Sequence, residues 1–171
     1  MSKTATLYVD MDGTLCVFDT SKTIEEVATA GYCRDLTPIV EVVEAIKKIH
    51  RQGNIRIRIL SAVINHDAIA DKIYWLKKHL GNDIAESALF VPCGTDKSEV
   101  INDEEFPFLL DDFSKNLHEW KAGGGIGIKI YNGINGNNGT WDGFSVHSGV
   151  PVSIVYKQIM GIINAEMAYS L

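Results

Sequence analysis

The sequence is poor in the features that mark several classes of protein. Its three cysteines, Cys16, Cys33 and Cys93, are odd in number and show no CxxC spacing. A disulfide framework or a thiolate zinc site is therefore disfavoured, and we interpret them as free thiols in a reducing cytoplasm. No apolar run approaches the length of a membrane span, and residues 1–6 lack a signal-peptide core. We expect a cytoplasmic protein without a membrane partner.

Positive charge is also scarce. The formal net charge is −6, with 16 basic and 22 acidic residues. Proteins that bind nucleic-acid polymers usually carry a basic face that displaces counterions, so such a partner is disfavoured. A small phosphate ester bound in a local basic pocket remains compatible with this balance. The 171 residues, 46% of them hydrophobic, fit one domain spanning residues 1–171.

Short β-rich runs alternate with helical patterns, which indicates βα units and a parallel sheet in the α/β class. Strands are predicted at residues 6–10, 55–60, 88–92, 106–110 and 126–131. Helices are predicted from Thr23 to a stop at Gly31, from Thr37 and Pro38 to just before Gly53, over residues 66–80, and again from Pro151. The run GGGIG at residues 123–127 enters a strand and does not leave one for a helix, so it is not a dinucleotide fingerprint.

Polar side chains follow the predicted strands where each one ends. Ligands of open α/β sheets bind beyond the carboxyl ends of the strands, so these residues are expected to converge. They are Asp10 and Asp12 after the first strand, Ser61 after the second, Lys97 after the third, and Asp111 and Asp112 after the fourth.

Asp10 and Asp12 are two residues apart, so in an extended chain both project to one side. Gly13 then allows a sharp turn and the close approach of a ligand. A cluster of carboxylates needs a cation, and Mg²⁺ is the hard ion that suits it. One carboxylate can attack phosphorus while a second moves the proton, and a lysine and a hydroxyl can hold the phosphate oxygens.

Each feature alone has a plainer explanation. An isolated DxDG is often a turn or a calcium loop, although an EF-hand fails here because Leu15, Cys16 and Val17 stand where oxygen ligands are needed. Asp111 with Asp112 would be a turn, and Lys97 a solvated charge. Their occurrence after successive strands, in the order that one mechanism requires, favours catalysis.

As a set these residues resemble the four motifs of the haloacid dehalogenase (HAD) superfamily of phosphohydrolases. The motifs read DMDGTL at residues 10–15, ILS at 59–61, DK at 96–97 and LLDD at 109–112. The runs LDDFSKNL at 110–117, GIKIYNGIN at 127–135 and GTW at 139–141 are similar to the cytosolic type-C 5′-nucleotidase branch, the 5′(3′)-deoxyribonucleotidases. The resemblance implies a three-layer Rossmann-like fold with a parallel central sheet and a cap inserted after the first strand.

The resemblance also implies a role for each residue. Asp10 would be the nucleophile and a Mg²⁺ ligand, and Asp12 the general acid/base with its backbone carbonyl on the metal. Asp112 would be a further metal ligand, and Asp111 would hold Lys97 or a metal-bound water. Ser61, Lys97, Gly13 and Thr14 would bind the phosphate.

Substrate choice in that superfamily comes from the cap, and here the corresponding residues 16–38 have room for one short helix and loops. A nucleoside monophosphate is the expected substrate. Another small ester such as a sugar phosphate, or a non-catalytic phosphate-binding module, are the alternatives. With so short a cap, either the site is accessible to larger substrates or a partner subunit covers it. A homo-oligomer is therefore one of the alternatives.

Other residues give weaker signals. Phe18, Tyr32 and Arg34 in the cap either touch the leaving group or simply pack. Asn132 and Trp141 flank a glycine-rich loop on the active-site edge, where they either line the pocket or serve the loop. The five histidines show no metal-binding spacing.

Overall fold

The computed structural model describes residues 4–102, 105–134 and 139–169. Six strands form one sheet in the order β3-β2-β1-β4-β5-β6, and every neighbouring pair is parallel. The strands are β1 (Ala5–Val9), β2 (Ile55–Val63), β3 (Leu89–Pro92), β4 (Phe106–Asp111), β5 (Ile126–Tyr131) and β6 (Phe144–His147). The predicted α/β class and Rossmann-like parallel sheet are confirmed.

Helices cover both sides of the sheet. They are α1 (Ile24–Val27), α2 (Val40–Gln52), α3 (His66–Leu80), α4 (Asn82–Glu86), α5 (Ser114–Ala122) and α6 (Val152–Tyr169). Two turns of 3₁₀-helix occupy Tyr32–Asp35 and Lys97–Val100. None of the helices in the described part of the chain combines the length and apolar character that a bilayer crossing requires.

Alternation along the strands divides the core into two clusters. Leu7 and Val9 belong to a large cluster with the apolar faces of α2 and α6, whereas Tyr8 belongs to a smaller one with Leu117 and Trp120 of α5. Successive side chains of a strand point to opposite faces, so the two clusters lie on either side of the sheet. This burial on both faces fixes the register of β1 between β2 and β4.

Helix boundaries follow the local chemistry. Thr23 and Glu26 form the predicted capping box, although α1 ends at Val27, before the predicted stop at Gly31. α2 begins at Val40, later than predicted, and ends before Gly53, whose φ of 71° suits glycine. The predicted bounds of α3 are those observed.

Two features of the sheet differ from the prediction. β2 continues to Val63, so Ser61 lies within the strand and pairs with Phe90 of β3. The sixth strand, Phe144–His147, was not predicted because its four residues alternate weakly and follow a glycine-rich segment. It pairs with β5 over its whole length.

Much of the glycine-rich segment makes room for tryptophan. A Cβ on Gly127 or Gly143 would meet the ring of Trp141, and a Cβ on Gly125 would meet Trp120. Trp141 is 7% exposed and joins the smaller core cluster. Of the two alternatives for Trp141, packing within the fold is the one observed. Residues 135–138 of the predicted loop lie outside the described residues.

Candidate active site

The carboxyl ends of β1 and β4 lie side by side at the centre of the sheet, where the strand order reverses direction. β1 ends at Val9, and the backbone N–H of Asp10 donates to the Leu110 carbonyl at 2.9 Å. The chain then turns tightly, with the N–H groups of Leu15 and Cys16 both donating to the Met11 carbonyl at 2.9 and 3.0 Å. This turn presents Asp10 and Asp12 at the switch point, which is the ligand-binding position of such sheets.

Lys97 links the first motif to the fourth. Its ammonium lies 2.6 Å from Asp10 Oδ1 and 2.7 Å from Asp111 Oδ2, and the side chain is almost fully buried. Burial opposes the charged form, but the two carboxylates outweigh it and raise the pKa of Lys97 above its ordinary value. Lys97 is therefore a fixed cation between Asp10 and Asp111.

Lys72, on α3, is a second buried cation that the sequence reasoning missed. Its ammonium donates to the carboxylate of Asp12, to Ser61 Oγ at 2.8 Å and to the Ala62 carbonyl at 2.8 Å. Burial lowers its pKa, but the neighbouring Asp12 outweighs that effect and the net shift is upward. The ammonium thus joins Asp12 of the first motif to Ser61 of the second.

A signal for Lys72 was present in the sequence. The predicted apolar stripe of α3 ran through Ile69, Ile73, Leu76 and Leu80. Ile69 and Ile73 are only half-buried, and the buried face is instead centred on Ala68, Lys72, Trp75 and Leu76. Lys72 stands four residues from Ala68 and from Leu76, so a helical projection places a lysine on the buried face.

Three buried carboxylates meet beside Lys97. Asp10, Asp111 and Asp112 each offer an oxygen, and these oxygens all lie within 4.8 Å of one another. Burial, partly offset by Lys97, together with the charges of Asp111 and Asp12 raises the pKa of Asp10 from 3.8 to about 7. Burial and the charges of Asp10 and Asp111 raise the pKa of Asp112 from 3.8 to about 8. Hard oxygen donors with an unfavourable mutual repulsion fit a divalent cation such as Mg²⁺.

This group differs in one member from the predicted metal ligands. Asp111 stands with Asp10 and Asp112, whereas the carboxylate of Asp12 is turned to Lys72. Asp111 also accepts hydrogen bonds from Lys97, Asn116 Nδ2 and the Phe113 N–H. These donors orient Asp111 as a support for the cluster. The contact predicted for Asp12 was through its backbone carbonyl, and it stays a prediction.

Asn132, directly after β5, links the turn after β1 to Asp112. Its Nδ2 donates to the Gly13 carbonyl and, at 3.2 Å, to Asp112 Oδ2, while its Oδ1 accepts from the Ile134 N–H at 2.7 Å. Gly13 has a φ of 82°, and a Cβ there would collide with the Asp112 carboxylate. Asn132 therefore orients the turn and Asp112 together and does not line the cavity.

The charged groups form the floor of a cavity of about 320 Å³. The charged lining residues are Asp10, Asp12, Lys72, Lys97, Asp111 and Asp112. The cap insertion, residues 16–38, contributes Phe18, Val27 and Cys33 to the walls. The rest of the wall is formed by Val63, Ile64 and Ala68 from the β2–α3 side, together with Cys93 and Phe113. Most of the wall is apolar, and the floor is charged. With a divalent cation held by the carboxylates, the cavity would suit a ligand with one anionic end and one apolar face.

Some predicted residues lie outside this cavity. Ser61, Gly13 and Thr14 are not among its lining residues, and the Thr14 hydroxyl is buried without a hydrogen-bond partner in the described part of the chain. Their predicted phosphate contacts therefore stay predictions. Of the three cap residues, Phe18 lines the cavity, whereas Arg34 stacks on Tyr74 at 4.4 Å.

Comparison with known proteins agrees with this geometry. The family described as "5′ nucleotidase, deoxy (Pyrimidine), cytosolic type C protein" matches residues 19–148. The match covers Ser61, Lys97, Asp111 and Asp112 but begins after Asp10 and Asp12. Comparison with curated proteins gave no match.

Solved structures with a similar fold include that of a bacterial effector. The crystal structure of the Legionella pneumophila effector Ceg4 superposes with a TM-score of 0.52 at 12% identity, over 96% of this chain and 94% of that chain. At this identity the likeness shows the fold alone.

Proposed function

Because the chain belongs to the cytosolic type C family of 5′-nucleotidase phosphatases, we propose that it hydrolyses 5′- or 3′-(deoxy)nucleoside monophosphates through an aspartyl-phosphate on Asp10. The observation that carries the proposal is the pairing of each first-motif carboxylate with its own buried lysine. Lys97 holds Asp10, and Lys72 holds Asp12, both at the floor of one cavity. Two carboxylates in fixed, different surroundings are what a nucleophile and an acid/base partner require.

In the proposed reaction Asp10 attacks phosphorus, and the bond from phosphorus to the ester oxygen breaks. Asp12 gives its proton to the departing oxygen, so that the nucleoside leaves as an alcohol. Asp12 then takes a proton from the water that attacks the aspartyl-phosphate, which releases orthophosphate and restores Asp10. The ammonium of Lys97, which donates to two carboxylates, keeps a third hydrogen with which it would hold a phosphate oxygen.

Asp10 and Asp112, with Asp111 beside them, would hold the metal ion. A bound Mg²⁺ would supply positive charge to these carboxylates and to the phosphate. In its absence the raised pKa values of Asp10 and Asp112 leave the pair partly protonated near neutral pH. A carboxyl group that carries a proton is a poor nucleophile, so the site is expected to depend on the cation.

The apolar walls favour a nucleotide over a sugar phosphate. Phe18, Val27 and Phe113 offer surface to a base but few hydrogen bonds to sugar hydroxyls. A hydroxyl buried without a partner costs free energy, whereas a base buries apolar faces at little cost. A cytoplasmic location, expected from the sequence, agrees with the cytosolic type for which the family is named.

The test is a panel of nucleoside monophosphates and sugar phosphates, assayed for phosphate release with and without Mg²⁺. We expect nucleotides to give the highest kcat/KM and chelation to abolish turnover. Equal, low rates on every member would remove the nucleotidase proposal. If the protein hydrolyses p-nitrophenyl phosphate but no nucleotide, the result would favour the alternative, a phosphatase for another small ester.

A further inference from the structure

Among the described residues three lysines are each only 2% exposed, namely Lys72, Lys97 and Lys129. Lys72 and Lys97 form ion pairs with aspartates of the catalytic cavity. Within the described ranges Lys129 has no carboxylate in ion-pair contact, and its ammonium donates to Ser114 Oγ at 2.7 Å. Burying a charge without a counter-charge is costly, so the position of Lys129 needs an explanation.

Lys129 opens into a cavity of about 570 Å³ beside the catalytic one. Asp112 and Phe113 line both cavities and form the wall between them. The second cavity is further lined by Ser114, Lys115, His118, Lys129 and Thr140. A ligand there would lie next to a substrate held at Asp10, but on the far side of the Phe113 wall.

The other ionisable side chains of this cavity each have a polar partner among the described residues. Lys115 pairs with Glu119, and His118 Nε2 lies 3.0 Å from Thr140 Oγ1. The carboxylate of Asp112 is turned toward Asn132. Of the two lysines in this cavity, Lys129 is the one without a carboxylate partner among the described residues.

Hydrogen-bond donors surround this charge. Helix α5 begins at Ser114, and its N-terminus has no side-chain cap, so the backbone N–H groups of its first turn lack intrahelical partners. The Ser114 hydroxyl and the Lys129 ammonium lie at the same end of the helix. An ammonium, a hydroxyl and a helix N-terminus together are donors suited to a tetrahedral oxyanion.

We propose that Lys129 and Ser114 form an oxyanion subsite that binds a second phosphate group beside the catalytic cavity. That group is either the second phosphate of a nucleoside bisphosphate held at Asp10 or a free orthophosphate ion. The first source rests on the proposed function, and the second does not.

The binding test counts phosphate sites in the full chain by calorimetric titration with orthophosphate in the presence of Mg²⁺. We expect two sites in the wild type, one in Lys129→Met, and one in Lys97→Met, which removes the lysine that contacts Asp10 in the catalytic cavity. Lys115→Met is the matched control, because it removes the same charge from the same cavity, and it should keep both sites. Equal site numbers in the wild type and Lys129→Met would overturn the proposal, as would an equal loss in Lys115→Met.

Thermal unfolding separates binding from a structural role. Without phosphate, Lys129→Met should unfold at the same or a higher temperature, because the variant removes an unbalanced buried charge. Phosphate should then raise its Tm less than that of the wild type. If Lys129→Met has a lower Tm than the wild type but phosphate raises its Tm by as much as in the wild type, Lys129 contributes to packing alone. Should Lys129→Met fail to fold, Ser114→Ala keeps the lysine and is expected to weaken the second site by about tenfold; unchanged affinity there would refute the subsite.

Kinetics then identify the source of the phosphate. If the ligand is a bisphosphate, the wild type should favour a nucleoside 3′,5′-bisphosphate over the 5′-monophosphate by at least about tenfold in kcat/KM, and Lys129→Met should lose that preference. If the kcat/KM values for the bisphosphate and the monophosphate are equal while two phosphate ions still bind, the ligand of the subsite is free orthophosphate. A chain that binds two phosphates but hydrolyses no nucleotide refutes the proposed function alone. One that hydrolyses nucleotides with a single phosphate site refutes the subsite alone.

Discussion

The ammonium of Lys72 donates to the carboxylate of Asp12, although the two residues are sixty positions apart. The same ammonium donates to Ser61 Oγ and to the Ala62 carbonyl, both at 2.8 Å. All three hydrogens of the ammonium are thereby used, and its side chain is 3% exposed. Lys72 thus links the carboxylate of Asp12, the proposed acid/base group, to strand β2.

Replacing Lys72 is expected to impair proton transfer. In Lys72→Met the Asp12 carboxylate loses its fixed partner, so its orientation toward the leaving oxygen is no longer set. We expect kcat to fall by about a hundredfold, in the range of lost acid/base catalysis. Lys77→Met on the same helix is the matched control, because Lys77 is exposed. A Lys72→Met enzyme with wild-type kcat and KM would contradict the assignment.

The sequence predicted the parts of the site that follow strands, and it did so for a physical reason. The carboxyl ends of parallel strands share one edge, so Asp10, Lys97 and Asp111 could be brought together from strand order alone. Lys72 reaches the same edge from the middle of a helix. Its placement depends on which face of α3 is buried, and Ile69 and Ile73 suggested the wrong rotation of that face.

The glycine-rich segment shows the limit of local patterns in another way. Glycine in a loop is usually explained by a turn, whereas Gly127 and Gly143 lack a side chain where Trp141 packs against both. Contacts of this kind join residues through tertiary packing, which no local periodicity reports. The same limit applies to β6, which forms along β5 although its own residues alternate weakly.

Removing the nucleophile is expected to separate activity from stability. Asp10→Asn should lower phosphate release by at least about a thousandfold, because the amide cannot form the aspartyl-phosphate. Asp12→Asn should also be severely impaired. The metal-free Asp10→Asn protein should melt at a higher temperature than the wild type near pH 8, since the variant removes one of three crowded carboxylates. Undiminished turnover in Asp10→Asn would refute the nucleophile.

Asn132 is expected to control metal affinity. In Asn132→Ala both the Gly13 carbonyl and Asp112 lose their common donor, so Asp112 is less well oriented. We expect about a tenfold weaker Mg²⁺ affinity, as is typical when the support of a ligand is removed. The affinity is measured from the rise of Tm with Mg²⁺, which needs no turnover. Asn102→Ala, at an exposed position, should leave the Mg²⁺ affinity unchanged. If Asn102→Ala weakens Mg²⁺ binding as much as Asn132→Ala does, Asn132 has no specific role in metal binding.

Asp71 is expected to hold the insertion against α3. Its Oδ2 accepts from the Gly31 N–H at 2.5 Å, and its Oδ1 lies 3.6 Å from Arg34 Nε. The insertion supplies Phe18, Val27 and Cys33 to the cavity wall. Asp71→Ala should therefore raise KM for a nucleotide by about tenfold with little change in kcat. Hydrogen exchange of the Gly31 amide should accelerate in parallel.

Asp67→Ala is the control for this variant, since Asp67 is exposed on the same helix. It should leave both KM and the Gly31 exchange rate unaltered. If Asp71→Ala speeds the exchange but leaves KM unchanged, the insertion does not contribute to substrate binding.

The carboxylate cluster predicts an unusual dependence of stability on pH. The pKa values of Asp10 and Asp112 are raised from 3.8 to about 7 and about 8 in the folded chain. Between about pH 4 and pH 8 the folded state therefore binds more protons than the unfolded state, and its free energy of unfolding falls as pH rises. Without a divalent ion, Tm should decrease through this window.

The pKa of His79 is lowered by burial and by Lys78 and Lys47, so this residue acts in the opposite direction. The measurement is accordingly the difference in Tm between the wild type and Asp112→Asn at each pH, with a chelator present. That variant should gain stability over the wild type as pH rises from 6 to 9, because it removes a carboxylate that must otherwise ionise while buried. Mg²⁺ binds the ionised carboxylates, so it should raise the Tm of the wild type most at pH 8 and above and narrow the difference. A difference that is independent of pH would mean that Asp112 ionises in the folded chain as it does in the unfolded one.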